Sequence, residues 1–250
     1  MESDLVIPDA LIDALRSSRH VCVLTGSGIS AESGVPTFRD AQTGLWEQYD
    51  PLQLATPEAF LNDPALIWKW YRWRRDLVAN AEPNAGHHAM VDMAEQVSEF
   101  TLITQNVDGL HQRAGSRNVI EYHGNLFEDR CFVEGCAVTD GKDDSSEIPT
   151  CPACGSNMRP GVVWFGEAIP ESALHNATKA ASSCDLFFSI GTSSLVWPAA
   201  GLAETAREAG AGIVEVNPNA TPLSSTSDFC FNHTAGNVLP ELLSQFRTAE

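Results

Sequence analysis

Ile7, Leu11, Ile12 and Leu15 recur at helical spacing behind Pro8 and Asp9, so the chain opens with a short amphipathic helix that buries one face. The period then changes. Val21-Cys22-Val23-Leu24-Thr25 is continuously apolar and largely β-branched, the pattern of a strand covered on both sides in a parallel sheet. Residues 100–104, 185–190, 212–216 and 228–231 repeat that pattern, and the segments between them read mostly as helix. Alternating strands and helices predict an α/β fold with a doubly wound, mainly parallel, Rossmann-like sheet.

The regularity stops between residues 127 and 160, where cysteines, charges and Gly-Pro turns replace hydrophobic periodicity. Cys131 with Cys136, and Cys151 with Cys154, supply four soft ligands, enough to close a tetrahedral zinc shell with no open position. Such an ion is structural. The chain has seven cysteines, an odd number, and no secretion signal, so this pairing favours metal over disulfides. Cys22, Cys184 and Cys230 lie in apolar contexts and are expected in the core. The expected organisation is one Rossmann-like domain, 1–126 and 161–250, interrupted by a small zinc-binding module at 127–160. A loop at about 32–56 and a helical insertion at about 57–80 belong to the larger domain.

Composition narrows the picture further. A chain of 250 residues, 43% hydrophobic, can bury a sizeable core. Acidic and polar residues follow Met1, and no apolar run approaches the ~20 residues of a membrane span, so the expected location is the cytoplasm with no membrane partner. The formal net charge is −18, and Lys69, Lys142 and Lys179 are the only lysines; this field repels phosphate backbones and argues against nucleic acid. The same surface suits concentrated salt, where screening reduces its self-repulsion. The oligomeric state is left open.

Three motifs carry chemistry. Gly26-Ser27-Gly28-Ile29-Ser30-Ala31 follows the first strand and matches the G-x-G-x-x-G/A turn that brings backbone close to a pyrophosphate, although a plain strand-to-helix turn would look similar. A hydride-transfer enzyme should next show a second strand ending in an acidic residue. Instead a polar, turn-rich loop runs from Glu32 to Asp40, in which Arg39 can neutralise phosphate and Phe38 can cover an apolar ring. The second motif, Thr104-Gln105-Asn106-Val107-Asp108-Gly109-Leu110-His111, gathers amides and a carboxylate where a buried strand runs out, the region in which α/β sheets bind ligands. Turn formation alone would also place such residues there. The third is Glu121-Tyr122-His123-Gly124, whose histidine, taken by itself, reads equally as structural.

Taken in order, GSGIS-AESGVPTFRD, TQNVDGLH, YHGN, the two cysteine pairs, VVWFGE, IGTS and EVNP resemble the sirtuin family of NAD-dependent protein lysine deacylases over nearly the whole chain. The resemblance implies NAD as co-substrate, structural zinc, and acylated lysine proteins or peptides as partners. It makes His123 the general base that deprotonates a ribose hydroxyl. Asn106 and Asp108 would shape the nicotinamide pocket, with Gln105 on the nicotinamide ribose. Residues 26–31, Arg39, Gly191, Thr192 and Ser193 would approach the phosphates or riboses, and Phe38 would shield the reacting centre. Asn217 would contact the adenosine ribose, and Ala235 would lie on the adenine side. Val162, Val163, Trp164 and Phe165 would pair with the substrate backbone as an added strand. The family's products are free lysine, nicotinamide and O-acyl-ADP-ribose.

Trp68, Trp70 and Trp73 are half of the six tryptophans, set among Lys69, Arg72, Arg74 and Arg75. The plain reading is a helix that is part core and part solvated face. Tyr71 and Arg74 share one helix face, and the pair is similar to that of the sirtuin subclass acting on succinyl-, malonyl- or glutaryl-lysine. A guanidinium and a phenol can together bind a terminal carboxylate, so desuccinylation beside deacetylation is expected. Two features depart from the family pattern: Ser27 where alanine is usual, and Asp40 where glycine is common. Other classes open to the same residues are NAD-dependent ADP-ribosyl transfer onto protein and a non-catalytic NAD or ADP-ribose binding module.

Overall fold

The computed structural model describes residues 5–36, 49–135 and 147–248. Its elements run α1 (Asp9–Ser17), β1 (His20–Thr25), α2 (Ser27–Ala31), α3 (Pro51–Leu54), α4 (Pro57–Asn62), α5 (Pro64–Ala79), α6 (Ala85–Gln96), β2 (Glu99–Thr104) and α7 (Leu110–Ala114). They continue β3 (Ile120–Glu121), β4 (Gly124–Cys131), β5 (Met158–Val162), α8 (Glu171–Ala181), β6 (Leu186–Ile190), α9 (Gly201–Glu208), β7 (Gly212–Val216), β8 (Phe229–Phe231) and α10 (Ala235–Thr248). Six strands form one sheet in the order β3-β2-β1-β6-β7-β8, every neighbouring pair parallel. This is the doubly wound sheet expected from the apolar runs. The chain reverses its winding direction between β1 and β6, which opens a crevice beyond their carboxyl ends.

Both faces of the sheet are covered, which is why its strands read as unbroken apolar runs. One face packs Leu11, Ile12 and Leu15 of α1 with Met90, Met93, Leu239 and Leu242 of α6 and α10. The other packs Ala177, Ala181, Leu202 and Ala206 of α8 and α9. A third cluster lies apart from the sheet: Phe60, Ile67, Trp68, Trp70 and Tyr71 close over Leu126, Cys131, Cys151, Met158 and Trp164. There β4 and β5 form an antiparallel pair with Arg130 opposite Arg159 and Cys131 opposite Met158. The hairpin begins at Gly124, earlier than the break in hydrophobic periodicity indicates.

Helix α5 starts where Asp63 accepts the Leu66 amide at 2.9 Å and Pro64 occupies the first turn, where its missing N–H costs nothing. It buries Trp68, Trp70 and Tyr71 and leaves Lys69 exposed, the mixed helix that its sequence indicates. Cys22 and Cys184 are buried as expected, but Cys230 is exposed. The correction follows from strand period two: β8 is an edge strand that turns Phe231 inward and therefore Cys230 out, with its Sγ 3.5 Å from Glu215. Among the described residues no helix is long and apolar enough to cross a membrane.

Candidate active site

The β1–α2 turn and the end of β6 meet at the crevice. The Gly28 amide donates to the Gly191 carbonyl at 2.9 Å, and a Cβ on Gly28 would lie 2.7 Å from the Gly191 Cα. Gly191 itself has φ +61, a conformation that favours glycine, and a Cβ there would meet the Ile29 nitrogen at 2.5 Å. The glycines thus have a nearer reason than a phosphate: two backbones touch at the bottom of the crevice. Ile29 and Ser30 are buried, while Ser27 and Ala31 face solvent.

A hydrogen-bond network links this turn to the β2–α7 loop and ends on the carboxyl group of Asp108. Asn106 donates from Nδ2 to the Gly26 carbonyl at 3.1 Å and to Ser30 Oγ at 3.0 Å, and Ser30 donates to Asp108 Oδ2 at 2.7 Å. Asp108 also accepts the Leu110 amide at 3.0 Å. Burial raises its pKa, with the Leu110 amide, the Ser30 hydroxyl and the charge of Arg74 partly offsetting the shift. Beneath the loop, the Asn106 amide donates to Thr104 Oγ1 at 3.0 Å, Thr25 donates to the same oxygen at 2.9 Å, and His111 Nε2 reaches Thr25 at 2.9 Å.

The ring of His111 packs tilted against that of His87, centroids 4.8 Å apart, and both rings are buried. Desolvation lowers the pKa of His87 to about 4 and that of His111 to about 3, so both rings are neutral at ordinary pH. Sequence reading quoted His111 but missed its place in this network. It missed His87 altogether, because the two histidines lie on different elements and only the fold pairs them.

His123 stands beside the loop, between β3 and β4. Its Nδ1 lies 3.1 Å from the Gln105 carbonyl, which can only accept; Nδ1 therefore carries the hydrogen and Nε2 is the ring's acceptor. Burial lowers its pKa, while the bond to Gln105 works in the opposite direction. A neutral imidazole with its acceptor fixed in orientation can take a proton from a hydroxyl. Loop, turn and imidazole are thus brought together as the sequence indicates.

Just beyond the carboxyl end of β6, Thr192 is buried with its hydroxyl 3.0 Å from Ser189 and 3.2 Å from Ser194, next to half-buried Ser193. Asn217 donates to the Thr192 carbonyl at 2.5 Å. Buried Glu215 accepts from Ser224 at 2.5 Å and from Thr221, tying down the loop that follows Asn217. Ala235 packs in the core at the start of α10.

Tyr71 and Arg74 lie on the inward side of α5. The Trp164 indole donates to Tyr71 Oη at 2.8 Å, and burial pushes the phenol's pKa up to about 12, so it keeps its hydrogen. Arg74 is half-buried, with its guanidinium carbon 5.1 Å from the Trp70 ring centroid, and it interacts with the charge of Asp108. Val162 closes β5, and the amides of Val163, Trp164 and Phe165 donate to His123 O, Glu167 and Ala55 O. Val163 lines a cleft of about 500 Å³ with Glu121, Gly124 and Pro170, and Phe165 is exposed.

The Sγ atoms of Cys131, Cys151 and Cys154 lie within 4.8 Å of one another, and those of Cys131 and Cys154 are 3.4 Å apart. Three soft donors converging at that range fit a tetrahedral zinc ion. The fourth expected ligand, Cys136, lies outside the described residues, as do Phe38 and Arg39.

Residues 26–198 match the model of the Sir2 family. The chain is 49% identical to NAD-dependent protein deacylase 1 of Pseudomonas aeruginosa over 94% of this chain and 97% of that one. It is 48% identical to NAD-dependent protein deacylase 2 of Pyrobaculum aerophilum over 94% of each. A Sir2 homologue solved with NAD superposes with a TM-score of 0.92 at 42% identity, covering 100% of this chain and 97% of its own. A mutant Sir2 homologue solved with 2′-O-acetyl ADP-ribose gives 0.90 at 43% identity, over 97% of this chain and 98% of its own.

Proposed function

The chain belongs to the Sir2 family, and from that premise we propose that it is an NAD-dependent protein lysine deacylase that releases nicotinamide and forms O-acyl-ADP-ribose. The observation that carries the reading is the His123 ring, turned by the Gln105 carbonyl so that Nε2 is its acceptor, beside the Asn106–Ser30–Asp108 network. Relatives named as deacylases, and a homologue bound to an acetylated ADP-ribose, support the same chemistry.

In this reading NAD lies across the crevice, over residues 26–31 and against Gly191, Thr192, Ser193 and Asn217, with Ala235 behind the adenine side. Asn106 and Asp108 receive the nicotinamide end, where an amide ring finds donors and acceptors already held in place, and Gln105 faces its ribose. The family resemblance also assigns Phe38 and Arg39 to the cofactor. The substrate's acyl oxygen attacks C1′ of the nicotinamide ribose, the glycosidic bond breaks and nicotinamide leaves. His123 Nε2 then takes the proton of the neighbouring ribose hydroxyl, whose oxygen attacks the acyl carbon. The lysine amine leaves carrying a proton, and a water molecule adds to the acyl carbon still bonded to both ribose oxygens, which opens the ring to O-acyl-ADP-ribose. Zinc held by Cys131, Cys136, Cys151 and Cys154 would fix the hairpin and supply no reacting group.

Tyr71 and Arg74 extend the proposal to acyl chains that end in a carboxylate, succinyl and malonyl, beside acetyl. A phenol that keeps its hydrogen and a neighbouring guanidinium offer two-point recognition, which an acetyl group does not use. The substrate backbone would run along residues 162–165. Because the amides at 163 to 165 already have acceptors, the segment would meet it through carbonyl groups.

Mass spectrometry of acetyl- and succinyl-lysine peptides incubated with NAD in high salt tests the reading. Deacylated peptide with matching O-acyl-ADP-ribose is expected from both. ADP-ribose attached to protein would instead establish transfer, and binding without any product would establish a sensor.

A further inference from the structure

We propose that Glu167, gripped by Arg159 and Arg130, is a positioning residue that sets the acyl selectivity of the pocket containing Tyr71. The inference rests on the deacylase reading and concerns which acyl chain the same site accepts. Arg130 and Arg159 stand opposite each other on β4 and β5, and both reach one carboxylate. Arg130 Nη2 lies 3.1 Å and Arg159 Nη2 2.9 Å from Glu167 Oε2, and Arg159 Nη1 contacts Oε1. The same two guanidiniums donate to the Val162 carbonyl, at 3.1 and 2.8 Å. Both ends of the segment 162–167 are therefore fixed to one pair of cations, and its turn closes at Gly166 with φ +86.

Within that segment Val162 and Trp164 are buried, and Trp164 carries the connection to the acyl pocket. Glu167 accepts its amide at 2.7 Å, the Arg159 guanidinium carbon lies 3.3 Å from its ring centroid, and its indole N–H donates to Tyr71 Oη. Accepting that bond leaves the phenol hydrogen directed away from Trp164. The opposite wall, α5, is fastened to the same hairpin. Trp68 Nε1 donates to Met158 O at 2.8 Å, Arg75 Nε to Leu126 O at 2.7 Å, and Arg75 Nη2 to Asp129 at 2.5 Å. The hairpin thus sets the separation of the two pocket walls.

A neutral amide at 167 keeps the shape of the side chain but cannot hold a buried guanidinium through two charged bonds. Trp164 and then Tyr71 would lose their fixed orientation. An acyl chain ending in a carboxylate depends on that orientation, whereas acetyl needs only apolar walls.

The test is Glu167→Gln, with kcat and KM for succinyl- and acetyl-lysine peptides and calorimetric binding of ADP-ribose. Loss of a fixed charge-assisted contact predicts a succinyl kcat/KM lower by about tenfold, carried mainly by KM, against a change of about threefold or less for acetyl, with ADP-ribose binding unaltered. Arg130→Lys, which leaves the Arg159–Glu167 pair intact, is expected to shift the ratio in the same direction by less, and it decides the question if the first variant does not fold. Both acyl rates falling in proportion, an unchanged ratio, ADP-ribose binding falling with them, or an unsubstituted protein that deacetylates without desuccinylating would each overturn the proposal and leave the deacylase reading standing. Absence of peptide-dependent nicotinamide release from the unsubstituted protein would overturn both.

Discussion

The crevice at the ends of β1, β2 and β6 and the box formed by α5 with the β4–β5 hairpin are built on opposite principles. The crevice is held by small polar side chains: Thr25, Ser30, Thr104, Asn106 and His111 are joined by uncharged hydrogen bonds that lead to the carboxyl group of Asp108, and Gly28 lies against Gly191 with no space for a side chain. The box is charged and aromatic: Arg130 and Arg159 on Glu167, Arg75 on Asp129, and Trp68, Tyr71 and Trp164 packed between them. The difference fits the two tasks proposed for them. Proton removal needs an imidazole held neutral in one orientation, while discrimination among acyl chains needs a cation beside a donor with a fixed direction.

If the crevice supplies the reaction and the box only the choice of substrate, His123→Ala should lower turnover with acetyl and succinyl peptides alike, by roughly 10²–10⁴-fold, the usual worth of a general base. Steady-state kinetics on both peptides checks this, and a variant that spares one acyl chain would break the division. Arg74→Met should act the other way, lowering the succinyl-to-acetyl ratio of kcat/KM by about tenfold while acetyl turnover persists. An unchanged ratio would remove the charged arm of the box.

Acid sharpens the contrast with a smaller effect. His87 and His111 titrate lower in the folded chain, at about 4 and about 3, than the ordinary histidine value of 6.5. Between those values the unfolded chain therefore binds more protons. The stability contributed by the neutral rings is complete above pH 6.5 and is lost as pH falls toward 4 for His87 and 3 for His111. Each ring should make unfolding easier by about 1.4 kcal/mol per pH unit within its window. Urea midpoints of the unsubstituted protein and of His111→Gln across that range measure the slope, which should be shallower in the variant.

The two regions also differed in how far the sequence disclosed them. The sheet was legible because strands covered on both faces cannot hide their apolar runs, and the crevice because Gly26 to Ala31 and Gln105 to Asp108 are contiguous peptides at strand ends. What escaped depends on pairing across the fold. Arg130 meets Arg159 only through strand register, and His87 meets His111 only because α6 lies on α7. Cys230 misled for a related reason: its apolar neighbours marked a strand but not which alternate side chain faces out at a sheet edge. The box disclosed its residue types and the convergence of Cys131, Cys151 and Cys154, but not the contacts of Arg130, Arg159 and Glu167.

The central claim, that crevice and box serve one reaction, is tested most directly by nicotinamide release from NAD with and without an acyl-lysine peptide. Release that requires the peptide, one nicotinamide for each acyl group removed, is the predicted result. Release of equal rate without peptide, or peptide binding with no release at all, would contradict it.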